Sequence, residues 1–412
     1  MKRVVMTGIG AVTPMGNSFR ESWEAAKSGK SGIGFITRFD VSHLPWKVAG
    51  ELKEFDASLC LGQKEIRRVD LFVQYAVSAA LMAVDDAGFS LNGSSPENRY
   101  HSLSSGGVII GSSRGGISTL ERSLIRNLTH KTRFSAYMMP STTISMAPSY
   151  IAQKLGAGGH CLGISNACAS GANAIGEAFR LIKNGFNGPV IAGGTEAPLC
   201  RLCVEGYGAA GALSRRADSS ASRPFDKTRD GFVLSEGACV VVLEEEKSAL
   251  NRGASIHGEV LGYGNTADAF HQTRPDRDGV IRAMRGAIEE AGLSPADIDY
   301  ISAHGTSTSL GDRIEAEAIS SLLGKRRLSV PVTAAKSMTG HMLAASGALE
   351  AALAITSLKE GVIPPTINLT RQDDDYALDL ATCGRKTTAE IAMSNSFGFG
   401  GVNAVLVLGR YS

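Results

Sequence analysis

The sequence predicts an α/β protein whose sheets are buried on both faces, and three observations carry that expectation. Short, continuously apolar runs alternate with longer segments whose apolar residues recur at i, i+3 or i+4. The 48 glycines sit at the ends of apolar runs instead of in linkers, as tight strand-to-helix turns require. No proline-rich or charged linker interrupts the 412 residues, which are too many for one small core. Two halves with a continuous interior are expected, 1–254 and 255–412.

In order, the first strand is expected at 3–8, where Val4-Val5-Met6 follows the basic start directly and no long apolar h-region of a signal peptide appears. A helix over 69–87 leads to a strand at 107–112, and a helix over 147–155 leads to a strand at 161–166. The helix over 169–184 carries Ala172, Ile175, Phe179 and Ile182 on one face. Strands at 189–193 and 237–243 complete the first half. The second half reads as strand 256–263, helix 280–291, strand 298–303, helix 312–323, strand 330–335 and helix 343–358, then strands at 390–395 and 403–409.

Composition excludes several classes of function. The 42 basic and 40 acidic side chains leave a formal charge of +2, so nothing global points to nucleic acid. No stretch approaches eighteen uninterrupted apolar residues, and neither a membrane span nor an anchor is expected. Seven cysteines, an odd number mostly in apolar or small-residue contexts, argue against a disulfide framework and for the cytoplasm.

Chemistry concentrates in three distant segments: Ser165-Asn166-Ala167-Cys168-Ala169-Ser170-Gly171, Ala303-His304-Gly305-Thr306-Ser307-Thr308 and Lys336-Ser337-Met338-Thr339-Gly340-His341. A thiol can take an acyl group from a thioester, and two imidazole N–H donors can hold the enolate oxygen that appears on decarboxylation. Cys168 falls at a strand-to-helix turn, where the helix dipole is expected to pull the thiol below its ordinary pKa. His304 follows a strand end, with the Thr306 and Thr308 hydroxyls available to fix its tautomer. Lys336 and Glu350 flank His341 and can form a buried ion pair. Phe399, between glycines in Phe397-Gly398-Phe399-Gly400-Gly401, is a candidate gate over the thiol.

Two segments are set aside. Gly8-Ile9-Gly10 lacks the third glycine of a dinucleotide fingerprint, Thr13 standing in its place. Cys200-Arg201-Leu202-Cys203 has no second pair and no histidine at ligand spacing, so it makes no zinc set and says little for redox chemistry.

Together with Ser222-Arg-Pro-Phe-Asp226-Lys-Thr-Arg229, Pro364-Pro-Thr-Ile-Asn368 and Asn395-Ser-Phe-Gly-Phe399, the three segments resemble, in order over essentially the whole chain, the β-ketoacyl-acyl carrier protein synthase II branch of the condensing enzymes. The resemblance implies a thiolase fold of two pseudo-duplicated halves in a five-layered α-β-α-β-α arrangement, and a homodimer. It implies Cys168 as acyl acceptor, His304 and His341 as decarboxylation and condensation residues, Lys336 and Glu350 as supports, and Phe399 as gate. Acyl- and malonyl-loaded acyl carrier protein is the implied partner, in fatty acid biosynthesis. No cofactor or catalytic metal is required, although relatives can carry a structural monovalent cation. A sister branch with a Cys-His-Asn triad fits less well, because His341 stands where it would need Asn.

Departures from the pattern concern substrate choice. Arg114 stands where relatives carry an aliphatic or glycine residue at the floor of the acyl pocket, and Tyr207 replaces a phenylalanine of its wall, with Phe397 also at the pocket. Gly211 replaces a carrier-docking arginine, while Lys64, Arg67, Arg68 and Arg133 keep a basic docking surface. Arg114 either ends the pocket or turns aside to pair with a carboxylate. The alternative functions are a ketosynthase of a specialised polyketide or polyene pathway, a coenzyme A thiolase and a chain-length partner subunit. A thiolase would need a second catalytic cysteine near the C-terminus, and the partner subunit would be expected to lack Cys168.

Overall fold

The computed structural model describes residues 2–89 and 103–412. Its principal sheet has eleven strands: β1 (Val4–Val12), β2 (Gly107–Gly111), β3 (Cys161–Ile164), β4 (Val190–Glu196), β5 (Gly237–Glu245), β6 (Gly258–Ala267), β7 (Tyr300–Ser302), β8 (Pro331–Thr333), β9 (Asp379–Leu380), β10 (Ile391–Gly398) and β11 (Val402–Gly409). The spatial order is β9-β8-β7-β10-β11-β6-β1-β5-β4-β2-β3.

Counted outward from the junction, β1-β5-β4-β2-β3 on one side mirrors β6-β11-β10-β7-β8 on the other. In both, two antiparallel pairings are followed by two parallel ones. The chain has therefore used one topology twice, although no repeat is legible in the residues. The halves join where β1 meets β6 antiparallel, Val4 opposite Val260 and Met6 opposite Gly258.

Alternation along the strands sorts the layers. Val240 and Val242 of β5 face an outer core with helix α1 (Leu71–Asp86), whereas Val241 and Leu243 face a middle core. Leu406 and Leu408 of β11 face that same middle core, and Val405 and Val407 face the other outer one. The longer helices that follow in the chain are α2 (Ile117–His130), α3 (Met146–Leu155), α4 (Ser170–Lys183), α5 (Arg201–Ala209), α6 (Arg277–Glu290), α7 (Ser309–Leu323) and α8 (Ala344–Glu360). α4 and α8 fill the middle, while α1 with α3 and α6 with α7 cover the two outer faces, which makes the five layers. α8 is buried from Ala344 through Leu358, as a helix between the two halves of the sheet must be.

The two central helices meet at their starts. A Cβ on Gly171 of α4 would lie 2.2 Å from the Ala344 carbonyl oxygen of α8, so only glycine admits this approach. That contact brings together the turns before α4 and α8, which carry Cys168 and His341. β3-turn-α4 and β8-turn-α8 are equivalent units of the two halves, and so are β2-turn-α2 and β7-turn-α7. α2, α5 and a helix at Phe19–Lys27 lie outside the segments that periodicity marks. α2 buries none of its residues within the chain, so its apolar face lacks a core to declare it.

Candidate active site

Cys168 sits in a single 3-10 turn, Ala167–Ala169, between β3 and α4. Ala167 takes a left-handed φ of 47°, and the Ser170 hydroxyl pins the turn by accepting from Asn166 N–H (2.8 Å) and donating to the Ala167 carbonyl (2.6 Å). A Cβ on Gly398 would stand 2.9 Å from the Asn166 oxygen, so the glycine lets β10 press against the turn. The Phe399 N–H then faces the Cys168 sulfur and favours its thiolate form. Burial pushes the thiol up to about 11, against the pull of Lys336, the Phe399 N–H and Arg114, with Glu196 adding to the rise. This corrects the expected lowering: the thiol lies within an apolar cluster with Tyr207, Phe232 and Leu343, and its loss of water outweighs the helix dipole.

His304 is set by two buried charged groups. The Glu315 carboxylate accepts from the His304 and Gly305 N–H groups, each at 2.8 Å, and from the Asn395 side-chain amide at 3.0 Å. The fully buried Lys336 ammonium spends its three donors on the Glu350 carboxylate (2.5 Å), the His304 carbonyl (2.6 Å) and His304 Nδ1 (3.2 Å). An ammonium cannot accept, so Nδ1 is the acceptor and the proton of the neutral ring sits on Nε2. Thr306 and Thr308, expected to fix this tautomer, instead bond one another at 2.9 Å, and Thr308 caps α7. Burial, then Lys336 and His341, hold the ring well below the usual histidine pKa. Burial likewise pushes Glu350 up to about 7 against Lys336.

His341 Nδ1 lies 3.1 Å from the Ser346 hydroxyl, which already accepts from Met342 N–H at 2.9 Å. The hydroxyl's remaining donor goes to Nδ1, so this ring also carries its proton on Nε2. That Nε2 is buried without a partner among the described residues. The two rings meet edge to face, centroids 5.4 Å apart at 83°, and Phe232 backs His341 at 5.3 Å. Burial and Lys336 keep His341 neutral as well.

A cleft of about 370 Å³ opens on this group, with Cys168, His304, His341, Thr306, Thr308, Phe397 and Phe399 among its walls. The loop carrying Phe399 turns through Gly400 and Gly401, both at positive φ, and is tied down by Gly400 N–H to the Gln272 carbonyl (2.7 Å). Glu315 and Ser346 escaped the sequence reading. Their signal is faint: Asp312 and Glu315 occupy the otherwise apolar stripe of Ala316, Ile319 and Leu322 on α7.

Comparison with known proteins gives the family. The profile described as "Beta-ketoacyl synthase, N-terminal domain" matches residues 1–249, and "Beta-ketoacyl synthase, C-terminal domain" matches 257–370. A 3-oxoacyl-[acyl-carrier-protein] synthase 2 of Synechocystis sp. is 44% identical over 100% of this chain and 98% of its own length. The corresponding protein of Coxiella burnetii is 42% identical over 99% of each. The chain belongs to the β-ketoacyl synthase family. Among solved structures, a β-ketoacyl synthase from Burkholderia phymatum (TM-score 0.91, 35% identity) and an ishigamide ketosynthase/chain length factor (0.92, 34%) superpose over the full length of both chains. A further likeness is a type II polyketide ketosynthase solved with its acyl-carrier protein (0.89, 32%, full length of both chains).

In this synthase the remaining expected residues fall differently. Arg114 and Tyr207 do not line the cleft. Arg114 is exposed at the end of β2 in the single chain and turns to Tyr207, its Nε donating to the phenol oxygen at 2.8 Å and its guanidinium lying 5.3 Å from the ring centre. Its side chain thus pairs with a phenol and not with a carboxylate, while its backbone N–H goes to Glu196 at 3.0 Å. Lys64, Arg67, Arg68 and Arg133 are all exposed, and Arg68 stacks on Tyr137 at 4.7 Å. No helix of the described residues is long and apolar enough to cross a membrane.

Proposed function

We propose that the synthase extends a Cys168-bound acyl chain by decarboxylative condensation with malonyl-loaded acyl carrier protein, in fatty acid biosynthesis. The observation that carries this is the pair of neutral rings, His304 and His341, whose Nε2–H groups line the cleft beside the thiol with no hydrogen-bond partner among the described residues. In the first half-reaction Cys168 attacks the acyl-carrier thioester, the Cys168 and Phe399 N–H groups hold the oxyanion, and the thiol proton leaves on the carrier sulfur. In the second, the malonyl thioester oxygen accepts from both Nε2–H groups and carbon dioxide departs. The resulting carbanion attacks the acyl thioester and releases Cys168. Lys336 and Glu350 act as positioning residues, Thr306 and Thr308 line the approach, and Phe399 gates the thiol.

The carrier is proposed to dock on Lys64, Arg67, Arg68 and Arg133, in the cytoplasm. A homodimer is supported by the exposed edge strand β3 and the apolar Leu124, Ile125 and Leu128 of α2. A second copy there would cover Arg114 and bring it to the end of an acyl tunnel with Tyr207 and Phe397. We place the division of the halves at 254/255. For a structural monovalent cation the residues present fit: Glu350 Oε2, Asn395 Oδ1 and Ser396 Oγ are buried oxygens without a partner among the described residues, and these would hold it. A specialised polyketide or polyene substrate is the second reading, favoured by the charged Arg114–Tyr207 pair. The test is intact-mass detection of acyl-Cys168 over a panel of acyl-carrier substrates. Failure of every acyl carrier to add mass at Cys168 overturns the assignment.

A further inference from the structure

The CxxC segment gains a meaning that its sequence lacks. Cys200 is the N-cap of α5 in extended conformation, and Cys203 is the third residue of the helix. Side chains three apart on a helix surface are neighbours, about 5–6 Å between Cβ atoms, so a small inward shift brings this pair to the roughly 3.5–4.5 Å that a disulfide spans. The two thiols neighbour one another, and Cys203 draws the Cys200 thiol below its ordinary range against the effect of burial. The neighbouring thiol and the start of α5 favour a thiolate at Cys200, while Cys200 and burial hold Cys203 protonated beside it.

Both cysteines are about 95% buried, so only a small oxidant reaches them. Cys203 also lies one helical turn before Tyr207, whose ring centre is 6.4 Å from Phe399 and 5.5 Å from Phe232, the ring backing His341. Cys168, Cys200, Cys203 and Tyr207 belong to one apolar cluster.

We propose that Cys200 and Cys203 form a reversible dithiol–disulfide pair oxidised by hydrogen peroxide, and that closing it shifts Tyr207 and slows reaction at Cys168. The Cys200 thiolate attacks a peroxide oxygen, the O–O bond breaks and hydroxide leaves, which makes a sulfenic acid. Cys203 then displaces the hydroxyl as water and forms the S–S bond. Two thiols lose two electrons and two protons, and one peroxide becomes two waters. Cys168, pushed up to about 11, holds little thiolate at neutral pH and reacts more slowly.

The pair is tested in Cys168→Ala, which removes the competing thiol and does not depend on condensing activity. Peroxide should lower the intact mass by about 2 Da, with one peptide cross-linking Cys200 to Cys203 and full reversal by dithiothreitol. Separate oxygen adducts, or no change, overturn the proposal. The coupling is read in the unsubstituted protein as the rate of Cys168 alkylation by iodoacetamide after peroxide, expected to fall about 10-fold or more because small displacements at a reactive group are costly. Cys200→Ser and Cys203→Ser, checked for folding by circular dichroism, should keep the untreated rate and lose most of the peroxide effect. A cross-link that leaves the alkylation rate unchanged overturns the switch.

Discussion

Lys336 grips His304 at two points, its Nζ 2.6 Å from the carbonyl oxygen and 3.2 Å from Nδ1 of the ring. The third donor reaches Glu350, so one buried ammonium fixes the backbone, the ring and the tautomer of a residue 32 positions away. The assignment of both Nε2–H groups to the substrate oxygen rests on this contact and on its counterpart between His341 and Ser346.

Replacing Lys336 should therefore cost chemistry as well as stability. Lys336→Ala is expected to slow malonyl decarboxylation by about 10–100-fold, the usual toll for removing a group that orients a reactive ring. A Lys336→Met/Glu350→Met protein should regain much of the melting temperature lost in the single variant, since no charge stays buried alone, yet remain slow. If carbon dioxide release recovers with stability, Lys336 serves the fold only.

Removal of either donor to the enolate has a distinct signature. His304→Ala and His341→Ala should each lower decarboxylation by at least about 10² while leaving some self-acylation of Cys168. Loss of acylation with normal decarboxylation would reverse the roles.

The raised thiol predicts a pH profile. A group held protonated up to about 11 gains thiolate roughly tenfold per pH unit below that value, so iodoacetamide alkylation of Cys168 should keep climbing from about pH 7 to 10. A plateau by pH 8 would mean that the thiol is not raised. Cys168→Ala should abolish alkylation at this site and all condensation, whereas Cys239→Ala, buried within β5, should change neither greatly.

Carrier docking should be electrostatic. Reversal of Lys64, Arg67 and Arg68 to Glu is expected to raise KM for carrier-bound substrate and flatten its salt dependence. Small N-acetylcysteamine thioesters make no such contacts, and equal loss on both substrates would indicate a damaged fold.

Arg114 should set acyl length once a second copy covers it. An unpaired charge against an alkyl chain costs several kcal/mol, against about 0.8 kcal/mol gained per buried methylene. Short, unsaturated or polar-ended chains should be preferred, and Arg114→Ile should extend the accepted chain by several carbons, read as acylation rate against length. Equal use of roughly C14–C16 and C6–C8 groups by the unsubstituted enzyme would place Arg114 away from the chain.

Much of this protein is written locally. Strand and helix positions follow from apolar periodicity, because one buried face imposes its period on the residues that form it, and Cys168, His304 and His341 stand out because each interrupts a strand-to-helix turn. Their neighbours do not. Glu315 lies eleven residues past His304 and Ser346 five past His341 with no motif to mark them, and α2 hides because its apolar face has no partner within the chain. The raised Cys168 thiol, the tautomers set by Lys336 and Ser346, and the turn of Arg114 toward Tyr207 arise only when distant segments meet. Desolvation and hydrogen bonding act through space, and the sequence alone carries only the order of the residues that will supply them.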